Sequence, residues 1–283
     1  MMSEKNIRVL HMTFDNFVEK LQSRFEFMIK CDYPYKLCDY RPMYGSAFSS
    51  LTQGYDFWGY CDIDLVFGNI RTFLSDDLLD KYDRVLVNGH FSLYRNCPKM
   101  NELYLSDGNY PEYNAVEAYT TNDACYFDEF RGMELKCLRN KIRTFCSRDI
   151  IVDVPFYAKT FGGDNREVYC WNNGKLHLFK ENGEEKELLY VHFQKRSMTC
   201  KNICKNTDRF VIVPNRIEQC DHVTNEMFSI SMDSFYPLRK ICRKVIRALK
   251  KDGLKKTIKR KKWQKDAKKL KLAYEKQTKT QET

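Results

Sequence analysis

Two aspartates one residue apart, Asp62 and Asp64, close an aromatic, apolar run in "YDFWGYCDIDLVFGNI", residues 55 to 70. Ionised carboxylates are among the groups least tolerated in a core, so a cation belongs beside them: a metal ion, a substrate or a basic side chain. On a strand, residues two apart point to one side, which turns Asp62 and Asp64 together and packs Ile63 the other way. Such a converging pair suits a hard cation, Mg²⁺ or Mn²⁺, which shares its coordination with water and with the phosphate oxygens of a substrate. In open α/β sheets ligands gather beyond the carboxyl ends of strands, where this pair sits. An Asp pair that caps a turn or meets surface lysines accounts for the same spacing without a metal. The long aromatic lead-in favours a central, buried strand, which a surface cap does not need.

The elements ahead of the pair run strand, helix, helix, strand, an order that favours an α/β domain. "NIRVLHM" reads as a short strand, and "TFDNFVEKLQSRFEF" as an amphipathic helix capped by Thr13 or Asp15 with Phe14, Phe17, Val18 and Leu21 on one face. "PYKLCDYRPMYGSAFSSLTQ" reads as a loop and a helix that tolerates Pro42 near its start. "YDRVLVNGHFSLYRN" offers two short strands about a glycine, and "MNELYLS" a helix. "EVYCWNNGKLHLFKENGEEKELLYVHFQ" reads as strands joined at Asn172-Asn173-Gly174 and Asn182-Gly183, and "RFVIVPNRI" as one more strand followed by a loop. The expected sheet is therefore mixed, with an antiparallel portion in the second half.

The 283 residues, 43% hydrophobic and 14% aromatic, suffice for one large core. No apolar run of about 18 residues occurs and the start is polar, so membrane spanning and secretion are disfavoured and a cytoplasmic location is expected. The 12 cysteines form no CxxC pair, only the looser Cys200/Cys204 spacing, and read as reduced thiols. The net charge of +10 belongs to the tail: from Arg239 onward there are 19 Lys and Arg against 4 Asp and Glu, leaving 29 basic and 34 acidic residues before it. The boundary falls between a domain at 1–237 and a tail at 238–283.

The segment "PYKLCDYRPMYGSAFSSLTQGYDFWGYCDIDLVFGNI", with "GHFSLYRN", "FDEFRGM" and "YVHFQKR", resembles the DxD glycosyltransferases of the GT-A fold found in bacterial capsular and surface polysaccharide gene sets. The resemblance spans roughly residues 7 to 222 and is most specific at the DxD and its flanks. It implies a Rossmann-like mixed sheet flanked by helices and a sugar transfer from a nucleotide diphosphate donor, a UDP-sugar, with a lean towards retention. Such enzymes open with a strand and a base-cradling loop; here only "MMSEKNIRVL" is available for it, so the resemblance implies either a shortened reading frame or a sheet trimmed of its usual first strand, with the base site partly missing.

Carried onto this chain, the resemblance makes Asp64 the direct metal ligand, sets Asp62 nearer the ribose and the metal's water shell, and lets His192 complete the Mn²⁺ or Mg²⁺ site. It turns Lys195 or Arg196 to the diphosphate, and sets Lys36, Asp39 and Arg41 at the nucleotide or donor sugar. Each has a plain alternative: a hydrogen-bonded strand histidine for His192, solvated helix charges for Lys36 and Arg41, a helix cap for Asp39. Asp128 or Glu129 would orient the acceptor hydroxyl or lie near the anomeric carbon, or form a salt bridge with Arg131. His90 and Asn96 are candidates for the donor pocket, and a strand and turn explain them equally.

In the tail, Leu238, Ile241, Cys242, Val245, Ile246 and Leu249 recur at helical spacing with Lys and Arg on the remaining face. A basic amphipathic helix of this kind suits an anionic membrane surface, the inner face of a plasma membrane, where a lipid-linked glycan acceptor would be met. A docked helix with a solvated tail beyond Gly253 is the other reading. No specific nucleic-acid partner is expected, since no aromatic-rich recognition module accompanies the charge. Two other functions share the motif: a phosphohydrolase whose apolar strand ends in a DxD nucleophile and general acid, and a catalytically silent glycan-binding relative of a transferase.

Overall fold

The computed structural model describes residues 6–232, 242, 246, 258–259 and 261–276. The strands in chain order are β1 (Phe57–Cys61), β2 (Leu65–Phe67), β3 (Arg84–Asn88), β4 (Phe91–Arg95), β5 (Thr144–Phe145) and β6 (Ile151–Asp153). They continue with β7 (Glu167–Asn172), β8 (Lys175–Lys180), β9 (Glu185–Leu188), β10 (Tyr190–His192), β11 (Thr199–Lys201), β12 (Arg209–Val213) and β13 (Arg216–Gln219). With short helices between them the class is α/β. The strands form three sheets instead of one, ordered β1-β4-β3-β5, β2-β10-β6 and β11-β13-β12-β7-β8-β9. The chain divides into two compact units, the first from Met1–Tyr60, Asp83–Thr144 and Trp263–Thr283, the second from Cys61–Tyr82 and Phe145–Lys262.

In the first unit, "NIRVLHM" is not a strand: Ile7, Val9, Leu10 and Met12 are exposed, because apolar alternation makes no strand without a partner for its backbone groups. The helix Phe14–Gln22 does form, with the Thr13 hydroxyl accepting from the Asn16 amide at 3.1 Å and Leu21 fully buried. Residues 34–52 form a chain of short helical turns, and Pro34 and Pro42 each sit in the first turn of a 3-10 segment, where a missing amide proton costs nothing.

Strand β1 is an edge of its sheet, and its burial is one-sided. Trp58 and Tyr60 point into the aromatic core, where Trp58 stacks on Tyr94 at 4.8 Å, while Gly59 and Cys61 face outward. The expectation of a central, buried strand is thus corrected to a half-buried edge strand.

Residues 261–276 are helical, and from Trp263 onward the helix belongs to this unit. Trp263 stacks on Tyr113 at 4.2 Å and donates its indole N–H to the Pro111 carbonyl at 2.6 Å; Ala267 is buried. The tail beyond Gly253 is therefore structured over this span. The amphipathic stretch around 238–249 lies outside the described residues except Cys242 and Ile246, both helical and exposed.

In the second unit, β7, β8 and β9 form an antiparallel meander whose tight turns fall at the Asn-Gly sites, with Asn173, Gly174 and Gly183 at positive φ. "RFVIVPNRI" supplies two strands, β12 and β13, joined at Pro214-Asn215. The smaller sheet is mixed: β10 pairs antiparallel with β2 and parallel with β6. Val66, Val152 and Val191 are register partners on one face and enter one core with Tyr169, Leu176, Leu178 and Ile212 of the larger sheet. At the exit of β2, Gly68 donates to the Leu189 carbonyl at 2.9 Å, and a Cβ there would stand 2.5 Å from the Leu188 carbonyl oxygen. Only glycine allows this approach.

Candidate metal centre

The alternation that puts Val191 in the core turns His192, the last residue of β10, to the other face of the small sheet. Its parallel register partner is Asp153, the last residue of β6, and the two side chains meet: His192 Nδ1 lies 2.7 Å from Asp153 Oδ1. On the opposite flank His192 registers with Leu65, so the residues just before β2 arrive beside the ring.

Asp62 and Asp64 therefore belong to the segment between β1 and β2, not to a strand. Ile63, expected to pack inward, is fully exposed, since the two-residue alternation ends with β1 at Cys61. The carboxylates still converge. Asp64 Oδ1 is 3.5 Å and Asp62 Oδ2 3.9 Å from His192 Nε2, and one ligand atom from each residue lies within 4.8 Å of the other two. Both aspartate side chains are about a third exposed, whereas the imidazole is buried.

Ligand atoms on one small divalent ion at about 2.1 Å stand roughly 3 Å apart along an octahedral edge and about 4.2 Å apart across it. The two separations from His192 Nε2, 3.5 and 3.9 Å, lie between those values. One nitrogen and two carboxylate oxygens make a donor set for a divalent ion such as Mn²⁺ or Mg²⁺, with the imidazole favouring Mn²⁺.

The turn after β10 closes the site from the chain's own backbone. The Phe193 amide donates to the Asp64 carbonyl at 3.0 Å, and the Lys195 amide to Asp64 Oδ2 at 2.9 Å. Gln194 Nε2 donates to Asp153 Oδ2 at 2.5 Å. Asp153 and Gln194 escaped the motif reading. The signal for Asp153 was a short β-branched run, "IIVD", that ends in a carboxylate as the DxD run does.

Of the remaining predicted residues in this unit, Lys195 is exposed at the turn. Arg196 is not: it is buried, donates to the Pro214 and Pro155 carbonyls, the latter at 3.0 Å, and lies over the Phe161 ring. Its charge serves the core of the second unit, which corrects the expectation of a diphosphate contact.

The other predicted residues lie in the first unit. Lys36 and Asp39 are buried as an ion pair 2.7 Å long. The Lys36 ammonium also donates to the Ala118 and Asp123 carbonyls, both at 2.8 Å, and Asp39 accepts from the Cys125 and Phe127 amides at 2.8 and 2.9 Å. Neither has surface left for a nucleotide, so their expected donor contact is replaced by a structural one. Asn96 likewise ties the Thr52 and Tyr55 carbonyls at 2.8 and 2.9 Å. His90 sits half-buried in the turn between β3 and β4.

Arg41 donates to the Gly89 carbonyl and to Asp128 Oδ2 at 3.2 Å, and its guanidinium lies over Tyr60. Burial, with the neighbouring Glu129 charge, pushes the Asp128 carboxyl well above the usual carboxylate range, although Arg41 opposes the shift. Arg131 meets the Cys125 carbonyl at 2.9 Å and the Tyr113 and Tyr126 rings.

Fold and site together define an α/β protein with mixed sheets and a carboxylate–histidine cluster at strand ends. The chain belongs to a family of unknown function (DUF6625), whose profile matches residues 1–221. No curated protein and no solved structure matches it significantly.

Proposed function

We propose that the protein is a metal-dependent glycosyltransferase of the DxD, GT-A-like type, moving a sugar from a nucleotide diphosphate donor, a UDP-sugar, to a surface glycan or lipid-linked glycan acceptor. The observation that carries this reading is the convergence of Asp62, Asp64 and His192 on one spot at the ends of the small sheet, with Lys195 exposed beside them. The resemblance of the DxD flanks and of "YVHFQKR" to such enzymes supplies the choice of reaction.

The Lys195 amide holds Asp64 Oδ2, so Oδ1 is the oxygen that Asp64 would give to a cation. Asp62 would add a second oxygen and His192 its Nε2, which lies 3.9 Å from Asp62 Oδ2. Asp62, Asp64 and His192 are the residues that would hold a divalent ion, and the chemistry it would supply there is neutralisation of the charge on a leaving diphosphate. Lys195 carries a positive charge on a long stem next to Asp64, the place from which a diphosphate oxygen would be met. In the first unit, Glu129 is the half-buried member of the Asp128/Glu129 pair and Asp128 the buried one.

The exposed lysines of the 261–276 helix, Lys261, Lys262, Lys265, Lys268, Lys269 and Lys276, support attraction to an anionic lipid surface where such an acceptor would reside.

The test is UDP release from UDP-sugars with and without Mn²⁺. The expected result is turnover that requires the ion and vanishes in Asp64→Ala. Phosphate release from a phosphomonoester with a trapped phospho-aspartate would assign a phosphohydrolase instead. A folded protein silent in both assays and without UDP binding by calorimetry would assign a non-catalytic binding role.

A further inference from the structure

We infer that Asp153 is a positioning residue of this centre. Its carboxylate holds the Nδ1–H of His192 so that Nε2 is the nitrogen presented to the cation, and Gln194 holds Asp153 in turn. The inference rests on the cation reading of the preceding section and deepens it.

A neutral imidazole has one N–H and one lone pair, and a lone pair on Nε2 requires the proton on Nδ1. Asp153 Oδ1 stands 2.7 Å from Nδ1, while Nε2 faces Asp64 and Asp62. The arrangement comes from topology: β6 and β10 are parallel neighbours with Asp153 and His192 in register, so both side chains leave the same face. Gln194 Nε2 fixes the other oxygen, Oδ2, at 2.5 Å, leaving the carboxylate one orientation.

The turn that delivers Gln194 is not a default conformation. Gln194 and Lys195 have φ of 44° and 63°, and the Arg196 amide donates to the Phe193 carbonyl at 2.8 Å, a type I′ turn built without glycine. Non-glycine residues in this region are strained and persist only where the surroundings over-determine them. Here four consecutive residues supply the determination. His192 meets Asp153, Phe193 and Lys195 donate to Asp64, and Gln194 donates to Asp153. One strained turn thus sets both the ligand carboxylate of Asp64 and the outer carboxylate of Asp153.

Two readings on the full chain test this. Calorimetric titration with MnCl₂ compares wild type, Asp153→Ala and Asp153→Asn. Long-range ¹H–¹⁵N spectra of the metal-free protein, assigned with His192→Gln, report which ring nitrogen carries the proton. The expected wild-type spectrum shows an Nδ1–H imidazole at His192. Asp153→Ala gives a mixture of tautomers and Mn²⁺ affinity lower by about 10- to 100-fold, the usual loss for outer partners of a metal-bound histidine. Asp153→Asn, which keeps an acceptor oxygen, retains the tautomer and loses less. Should Asp153→Ala not fold, Gln194→Ala is expected to shift both readings in the same direction by less. Wild-type affinity and wild-type tautomer in Asp153→Ala would overturn the role of Asp153 alone. A wild-type protein that binds no Mn²⁺ overturns the cation reading, and this inference with it.

Discussion

Asp39 and Asp64 are both acidic side chains beside a lysine, and the molecule uses them in opposite ways. In the first unit both oxygens of Asp39 are engaged, by the Cys125 and Phe127 amides and the Lys36 ammonium, and the whole group is buried. In the second unit Asp64 engages Oδ2 with a backbone amide and turns Oδ1 towards an imidazole, with solvent access and a second carboxylate nearby. A charge whose partners are complete and dry holds the fold. A charge whose partners converge on an accessible spot is what the proposed metal centre requires.

Substitution separates the two most sharply at the aspartates themselves. Asp39→Ala leaves Lys36 buried without a counter-charge and two amides without their acceptor. The expected cost is about 3–5 kcal/mol in denaturant unfolding. Asp64→Ala is expected to change unfolding by no more than about 1 kcal/mol. It should nevertheless weaken Mn²⁺ binding by about 100-fold or more, since the loss of a ligand exceeds the loss of an outer partner. Comparable destabilisation in both variants would erase the distinction between the two regions.

Lys195 sharpens the comparison, because its backbone serves the site architecture and its side chain serves the proposed chemistry. Lys195→Ala is expected to keep Mn²⁺ affinity and lower turnover of a UDP-sugar about 10- to 100-fold. Lys195→Gly should lose the same turnover yet raise stability by about 1 kcal/mol, because glycine adopts the positive φ without strain. A parallel stability change in the two variants would mean that the turn is not strained.

The smallest effect is electrostatic and belongs to the first unit. The hydrogen bond from Arg143, helped by Arg95, holds the Asp83 carboxyl below its ordinary range. A depressed folded pKa contributes stability that is present above the unfolded value, about 3.9, and is lost as pH falls through the folded one. Arg143→Ala should therefore lower the thermal midpoint slightly at neutral pH and weaken its fall on acidification. Metal binding in the second unit should not respond.

Local features were readable from the chain: the Thr13 cap, the Asn-Gly hairpins and the two strands about Gly89 all rest on residues close in sequence. The division into three sheets was not, because β2, β6 and β10 meet across long separations that periodicity does not encode. The same limit explains the site. Asp62, Asp64 and His192 stood out as motif residues and the fold brings them together. Asp153 depends on a parallel register partner and left only a faint signal. Lys36, Asp39 and Arg196 look like surface charges in sequence and are buried, since burial of a charge depends on carbonyls and amides supplied from residues far along the chain.

Crystals soaked with Mn²⁺ and UDP, measured at a wavelength where manganese scatters anomalously, test the central claim most directly. The account predicts one anomalous peak within coordination distance of Asp62, Asp64 and His192, with diphosphate oxygens completing the shell beside Lys195. Ordered UDP bound elsewhere, or a peak that persists unchanged in Asp64→Ala, would contradict it.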